Sequence, residues 1–219
     1  MLGFVQSFVL AFSALLPLIN PLGSALMFMG VVGDVPIGEF RHLARRVTVS
    51  TVLFLLVIEL AGAMLLAFFG ISLPVVQFAG GLVLATIGWQ LLNEKDKDVK
   101  PAPSSPDTSV GPVEDKIFYP LTFPITAGPG CIVVTVTLSA HASRHAVAQN
   151  IIAHFGIALA IVVLGLTVLV SYTYAPRITS RIAPQTVQGI LRVVAFVLLC
   201  IGVQIGWNGL EGMIKAVPK

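Results

Sequence analysis

Long apolar runs, separated by short polar stretches, divide the chain into six segments that are each long enough to cross a bilayer. A transmembrane helix needs about 20 predominantly apolar residues. None of the runs shows the strict alternation of a membrane barrel strand. The pattern therefore predicts an all-α membrane protein with six transmembrane helices, at residues 3–32, 47–69, 73–92, 117–140, 151–174 and 188–210.

The one long polar segment, residues 93–116, separates the third helix from the fourth. It carries alternating charges from Glu94 to Asp98 and then the sequence Pro-Ala-Pro-Ser-Ser-Pro. Such a composition cannot bury a core and is typical of a flexible linker. We therefore expect one membrane domain in three parts: a three-helix repeat at 1–92, the linker at 93–116, and a second three-helix repeat at 117–219.

The two halves carry similar motifs in the same order. Asn20-Pro21 corresponds to Gly128-Pro129, and Ile87-Gly88-Trp89-Gln90 corresponds to Ile201-Gly202-Val203-Gln204. Because each half has three spans, the second half must enter the membrane in the opposite orientation. The sequence therefore predicts two inverted-topology repeats in which the first and fourth helices are broken.

The breaks are predicted from prolines inside apolar spans. A proline removes a helical hydrogen bond, and in lipid the freed backbone groups need other partners. Asn20 is a good N-cap and Pro21 suits a first helical position, so a new half-helix should begin there, with free N–H groups from Leu22 to Ser24. At the second break, Gly128 would allow unusual dihedral angles and Gly130 a close approach to the backbone.

A matched pair of broken helices points to the substrate site of a transporter. The new helix N-termini would enter from opposite faces and attract a carboxylate near the midplane. The carbonyl groups of Pro17 and Ile125, which end the preceding half-helices, suit an ammonium group or a cation. The predicted substrate-binding residues are Asn20, Pro21, Gly23 and Ser24 on one wall and Thr126, Gly128, Pro129 and Gly130 on the other. The alternative is that both breaks are kinks packed against neighbouring helices.

Glu59 is the only acidic residue deep inside an apolar span. An ionisable group at such a position is costly, which makes it a candidate functional residue. Glu59 is our coupling candidate, either as the carrier of a coupling proton or as a partner of the substrate amine. A neutral acid that is hydrogen-bonded to a neighbouring helix is the alternative. Sodium, held by carbonyl groups at the broken helices, is the alternative coupling ion.

Composition and charge agree with this picture. The chain is 56% hydrophobic and 11% charged, against about 25% charged in soluble domains. Ten of the 13 basic residues lie in or beside the first, third and fifth connections. The positive-inside rule then places the linker in the cytoplasm and both termini outside. A net charge of +3 gives no argument for nucleic acid.

The sequence offers no catalytic site, cofactor motif or metal site, and we expect no enzyme. No nucleophile elbow, phosphate loop or dinucleotide fingerprint occurs. His141 and His145 are four residues apart but lack the glutamate of a metalloprotease motif. Cys131 and Cys200 lie in apolar spans, so we interpret both as small buried hydrophobic residues.

Small and amide residues recur in the third and sixth spans. Gly80, Gly81, Gly88, Gly202 and Gly206 occur at helical spacing, which indicates close packing between helices. Gln77, Gln90 and Gln204 are candidates for hydrogen bonds between helices or for lining a cavity.

Several of these motifs occur together, and in the same order, in one known family. They are Asn20-Pro21-Leu22-Gly23, Phe69-Gly70-Ile71, Ala79-Gly80-Gly81, Tyr119-Pro120-Leu121, Phe123-Pro124, Ala127-Gly128-Pro129-Gly130 and Ile201-Gly202-Val203-Gln204. On these residues the chain resembles the MarC family of bacterial inner-membrane proteins. Two positions depart from the family pattern: Leu26 stands where a proline is usual, and Glu59 is not part of it.

The resemblance implies six spans and transport of small neutral amino acids, such as glycine, alanine and serine, across the bacterial inner membrane. We therefore expect a secondary transporter that works by alternating access. A passive channel for small solutes and a non-transporting assembly or regulatory protein are the alternatives. The expected partners are the amino acid, a proton or sodium ion, and membrane lipid; a homodimer would cover part of the apolar surface.

Overall fold

The computed structural model describes residues 2–33, 35–93, 116–142, 147–179 and 184–216. Within these ranges the chain is helical and contains no strand. The helices are α1 (Leu2–Ile19), α2 (Pro21–Val32), α3 (Ile37–Phe68), α4 (Leu73–Asn93), a π-helical segment (Ile117–Thr126), α5 (Pro129–Ala142), α6 (Val147–Thr179) and α7 (Pro184–Ala216). The predicted linker, apart from its first and last residues, and His145 lie outside the described residues.

Four stretches of these helices are long and apolar enough to cross a membrane: Gly3–Val32, Leu73–Gln90, Gln149–Arg177 and Arg192–Ala216. The bent pair formed by Ile117–Thr126 and Pro129–Ala140 gives a fifth. The chain is therefore an all-helical protein with four or five candidate spans in its described part. The predicted span at 47–69, which belongs to α3, stays a prediction.

Several helices extend beyond the apolar runs that predicted them. α3 begins at Ile37 rather than at residue 47, because its first turns carry charges that end the hydrophobic run without ending the helix. Phe40 and Leu43 in these turns are buried, so this polar end also packs against the protein. Hydropathy marks the portion of a helix that suits lipid, whereas hydrogen bonding and packing decide where the helix begins.

The first break has the predicted form. Asn20 adopts a left-handed conformation with φ 43° and ψ 69°, and its side-chain oxygen accepts a hydrogen bond from the Gly23 amide at 3.2 Å. Pro21 occupies the start of α2. The Asn20 cap therefore ends α1 and begins α2, as the sequence predicts.

The second break is longer than expected. The π-helical segment carries Pro120 and Pro124, and the residue before each proline has an extended backbone. The Thr122 hydroxyl donates to the Ile117 carbonyl at 2.8 Å, and the Thr126 hydroxyl donates to the Leu121 carbonyl at 2.6 Å. Each threonine hydroxyl thus adds a hydrogen bond to the carbonyl five residues earlier in this proline-interrupted segment. The chain then bends by 71° into α5.

α4 and α7 pack through their glycines, as the small-residue pattern predicts. A Cβ atom added to Gly81 would lie 2.2 Å from the Gly206 nitrogen, one on Gly202 would lie 2.4 Å from the Ala85 nitrogen, and one on Gly88 would lie 2.6 Å from the Leu199 nitrogen. The residue numbers rise along α4 as they fall along α7, so the two helices are antiparallel. Backbone-to-backbone contact of this kind is possible only without side chains.

The central packing involves α5 and α6. α6 contacts α1, α2, α3 and α5, while α5 also contacts α1, α3 and α4. The buried core lies where α1, α2, α3 and α6 meet and includes Leu15, Phe28, Val47, Ile161 and Leu164.

Candidate functional site

The two breaks meet at the side chain of Tyr172, which comes from α6. Its hydroxyl lies 2.7 Å from the Thr126 hydroxyl, at the end of the second break. The Ser24 hydroxyl, in the first turn of α2, is a second polar neighbour of the Tyr172 hydroxyl. All three side chains are buried. We call Ser24, Thr126 and Tyr172 the hydroxyl centre.

Aromatic rings hold the Tyr172 side chain in this position. Its ring stacks on Phe28 of α2 with a centroid distance of 4.5 Å and an interplanar angle of 23°. Phe28 in turn packs edge-on against Phe40 of α3, at 5.0 Å. Tyr172 and Phe28 are completely buried. The ring stack therefore fixes the position of a hydroxyl group that joins the two broken segments.

The structure brings together some of the predicted substrate-binding residues. Ser24 and Thr126 share the Tyr172 hydroxyl, and Gly130 approaches Leu18, two residues before Asn20. Asn20 and Pro21 take part as the cap and first turn of α2, and Pro129 begins α5.

Two local expectations differ from the structure. The Gly23 amide donates to the Asn20 side chain, and the Ser24 amide donates to the Asn20 carbonyl at 2.9 Å, so neither is free for a ligand. The close approach at Gly130 is a packing contact, since an added Cβ would lie 2.1 Å from a Leu84 methyl group. Both differences arise because the protein itself occupies groups that the sequence shows only as available.

Gly128 is less crowded than Gly130. An added Cβ would meet only the Pro124 carbonyl oxygen, at 3.3 Å, and the backbone of Gly128 does not need a left-handed conformation. A small side chain at this position would therefore press on one backbone oxygen of the second break, which would have to give by a few tenths of an ångström.

Glu59 lies in a second buried polar cluster. Its side chain is 1% exposed and contacts the Nδ1 atom of His154 in α6, whose side chain is 27% exposed. The Ser139 hydroxyl of α5 donates to the Glu59 backbone carbonyl at 2.5 Å. We call Glu59, Ser139 and His154 the acid–imidazole centre.

The two centres are well separated. His154 and Tyr172 lie 18 positions apart in α6, which is about 27 Å of helix at 1.5 Å per residue. Glu59 therefore does not lie beside the substrate-binding residues predicted at the breaks. Its carboxyl group already has a partner, the imidazole of His154. Of the two predicted roles, proton carrier and partner of the substrate amine, this position favours the first.

The two centres have related architecture. Tyr172 belongs to the second long helix of the second half and meets Ser24, in the helix after the break of the first half. Glu59 belongs to the second long helix of the first half and meets Ser139, in the helix after the break of the second half. Each centre thus joins the second long helix of one half of the chain to the helix after the break in the other half.

Sequence reasoning missed Tyr172, which lies at the end of an apolar run where aromatic residues are common. It also gave no link between His154 and Glu59. One signal was visible: the unit aromatic–Pro–aliphatic–Thr occurs twice, as Tyr119-Pro120-Leu121-Thr122 and Phe123-Pro124-Ile125-Thr126. That repetition indicates that both threonines have the same structural role at the second break.

Replacing Asn20 tests whether its cap shapes the first break. We expect Asn20→Ala to lower the free energy of unfolding by about 1–2 kcal/mol, because it removes the cap and places a less tolerant residue at positive φ. Asn20→Gly removes the cap alone and should cost less. Thermal unfolding of the purified protein in detergent measures both. Equal stability of the alanine variant and the wild type would contradict the role of the cap.

No group of three or more histidine, cysteine or acidic side chains placed to hold a metal occurs in the part of the chain that the structure describes. Cys131 is buried beside the second break, whereas Cys200 is exposed on α7. Cys131 therefore has the buried position that the sequence predicts for both cysteines, and Cys200 does not, because its side of α7 faces away from α4.

Comparison with known proteins assigns most of the chain to one group. Residues 5–214 match the sequence profile of a family described as MarC family integral membrane protein. The inner membrane protein MarC of Escherichia coli strain K12 is 27% identical over 218 residues, which cover 98% of this chain and 99% of that protein. MarC of Shigella flexneri gives the same identity and coverage. No solved structure matches the chain.

Proposed function

Because the chain belongs to the MarC family of integral membrane proteins, with relatives in the bacterial inner membrane, we propose that it is a secondary transporter of small neutral amino acids. The observation that carries the proposal is the meeting of both broken segments at one buried side chain. A polar group from each break faces the other through Tyr172. Two kinks that served packing alone would not need a shared hydrogen-bonding centre inside the membrane.

The substrate class follows from the groups at the breaks. α2 and α5 begin there, so each contributes the positive end of a helix dipole, which attracts a carboxylate. The hydroxyl groups of Ser24 and Thr126 supply uncharged polar contacts. The described residues bring no charged side chain into contact with the hydroxyl centre, so the substrate's side chain gains no ionic partner there. A small neutral zwitterion fits this set of groups.

We further propose the inverted repeat of three and three helices, with six spans. It is supported by the antiparallel packing of α4 on α7. It is also supported by the two polar centres, each of which joins the second long helix of one half to the helix after the break of the other half. Alternating access would then expose the breaks to one side of the membrane at a time, with both termini outside and the linker in the cytoplasm.

The coupling ion in this proposal is a proton, held by Glu59 and His154. A carboxylate beside a neutral imidazole takes up one proton to become a neutral ion pair, which suits a site of low dielectric. His154 is partly exposed whereas Glu59 is buried, so the imidazole provides the route by which the proton reaches the acid. Sodium remains the alternative that the experiment below separates.

Uptake by purified protein in liposomes tests the proposal. We expect saturable uptake of radiolabelled glycine and alanine that is faster with an inward proton gradient and independent of sodium. Gly128→Val should reduce it at least about tenfold, because the side chain presses on the Pro124 carbonyl oxygen at the break. Thermal unfolding in detergent checks that the variant is folded. Gly3→Val, at a position with nothing within 4 Å of an added Cβ, is the matched control.

The other outcomes identify the alternative functions. Uptake that rises linearly with concentration and shows no exchange would indicate a passive channel. No uptake above that of empty liposomes by a folded protein would favour an assembly or regulatory protein. A sodium gradient that drives uptake when the proton gradient does not would replace the proton as coupling ion.

A further inference from the structure

One side of α7 carries a row of polar side chains within a candidate membrane span. The span extends from Arg192 to Ala216, and Gln204 lies at its midpoint. Residues spaced by three or four positions lie on the same side of a helix. The row consists of Cys200, Gln204, Asn208, Glu211 and Lys215, which are all exposed. We call these five residues the polar face of α7.

The polar face points away from the neighbouring helices. Gly202 and Gly206 contact α4, and Gln204, two positions from each, lies on the opposite side of the helix. Ile205 packs against the buried core, on another side of α7. In the part of the chain that the structure describes, α7 packs mainly on α4 and to a smaller extent on α1. The polar face is therefore available to a partner outside these helices.

The two amides of the polar face use only part of their hydrogen-bonding capacity. The Gln204 side-chain nitrogen donates to the Asn208 side-chain oxygen at 2.9 Å. A side-chain amide has two N–H donors and an oxygen with two lone pairs, so this single bond leaves donors on both residues and the Gln204 oxygen for other partners. Lipid tails supply neither donors nor acceptors, so exposing these groups near the middle of a span is costly.

We propose that the polar face of α7 is the contact surface between two copies of this chain in the membrane. The positive-inside rule gives every copy the same orientation, so a two-fold axis between two copies runs along the membrane normal. The two α7 helices are then parallel, and each residue of the polar face meets its counterpart. An amide both donates and accepts, so Gln204 can bond to the second Gln204, and hydrogen bonds of this kind join helices in lipid.

The charged end of the polar face is compatible with this symmetry. Two Glu211 carboxylates approach each other in the contact, but in each copy the Lys215 ammonium donates to Glu211 at 2.6 Å. The two charges cancel within each copy, which removes the repulsion between the carboxylates. A different membrane protein would need amides of its own at the depth of Gln204 and Asn208, whereas a second copy carries them there. The proposal goes beyond the proposed function and does not depend on the transported substrate.

The two cysteines of the chain allow a direct test by cross-linking. Cys200 belongs to the polar face, whereas Cys131 is buried. Cys200 lies one helical turn from Gln204, so the two copies of its side chain face each other at a distance that a disulfide can span. Iodine, which oxidises two thiols to a disulfide, should convert the wild type in membranes into covalent dimers. Cys200→Ser should form none.

Thr86→Cys, combined with Cys200→Ser, is the matched control. Ala85 and Gly88 of α4 meet Gly202 and Leu199 of α7, so Thr86 lies at about the depth of Cys200. Thr86 is exposed, but on the side of α4 that is turned away from α7. Iodine should therefore leave this variant monomeric. Equal cross-linking of the control and the wild type would indicate random collision and would contradict the proposal.

Replacing the amides tests their contribution to the contact. Gln204→Leu should raise the dissociation constant of the dimer about tenfold, the effect of one hydrogen bond between helices. Val203→Leu changes an exposed neighbour outside the polar face and should leave the constant unchanged. Sedimentation equilibrium in density-matched detergent measures the constant, and thermal unfolding establishes that both variants are folded.

Two results would overturn the proposal. A wild type that is monomeric by sedimentation and not cross-linked through Cys200 would show that the polar face lines a water-filled cavity or contacts a different membrane protein. A dimer with the same dissociation constant in the wild type, Gln204→Leu and Asn208→Leu would place the contact on another surface. Neither result depends on amino acid uptake, so the proposed function is tested separately.

Discussion

Gly81→Ala is expected to prevent α4 from packing on α7 and to lower the free energy of unfolding by about 3 kcal/mol or more. The added Cβ would lie 2.2 Å from the Gly206 nitrogen and 2.6 Å from the Gly202 carbonyl oxygen. Both are backbone atoms, so no side-chain rotation can relieve the contact. Thermal unfolding in detergent, together with the yield of monodisperse protein, measures the effect.

The same helix pair supplies a matched control. Gly206 lies in the same contact, but a Cβ added there would meet its nearest atom at 3.7 Å, which is ordinary van der Waals distance. Gly206→Ala should therefore unfold within about 1 kcal/mol of the wild type, helped by the better helix propensity of alanine. If Gly81→Ala and Gly206→Ala were equally stable, the backbone contact between α4 and α7 would not have the described register.

Glu59→Gln is expected to abolish accumulation of glycine against its gradient while leaving exchange across the membrane intact. If one proton accompanies each substrate, a difference of one pH unit supports about tenfold accumulation, since each unit is worth about 1.4 kcal/mol. Glutamine keeps the size of the side chain but cannot take up a proton. Accumulation should therefore fall from about tenfold to none.

The measurement compares net uptake under a pH gradient with counterflow of labelled for unlabelled glycine at equal pH. Glu39→Gln changes the exposed acid in the first turn of the same helix and should behave as the wild type. His154→Gln should slow gradient-driven uptake, because it removes the partly exposed group through which the proton reaches Glu59. Tenfold accumulation in Glu59→Gln would assign the coupling ion elsewhere.

The sequence was sufficient to predict the elements that depend on local chemistry. Apolar length identified α1 with α2, α4, α6 and α7 as candidate spans, and proline with a capping asparagine located the first break to the residue. Glycine spacing predicted the close contact between α4 and α7. These features follow from hydrophobic period, φ restriction and side-chain size, which are properties of short stretches of chain.

Partners that are distant in the sequence could not be predicted. Ser24, Thr126 and Tyr172 come from three separate elements, and nothing local marks Tyr172 as different from other aromatic residues near the end of a span. The sequence made Glu59 conspicuous because a carboxyl group in an apolar run is costly, but it did not indicate the imidazole 95 positions later that contacts it.

By itself, the sequence determined that this chain is a helical membrane protein with a broken first segment and a broken fourth segment, because proline geometry and apolar length act within a few turns. Only the tertiary structure decided that Leu84 packs against Gly130 and that Tyr172 joins the two breaks. The physical reason is that the sequence shows which donors and small residues could bind a ligand, whereas packing decides which of them already contact another part of the protein. Which group arrives depends on how α4 lies against α5 and how α6 lies against α1, α2 and α3.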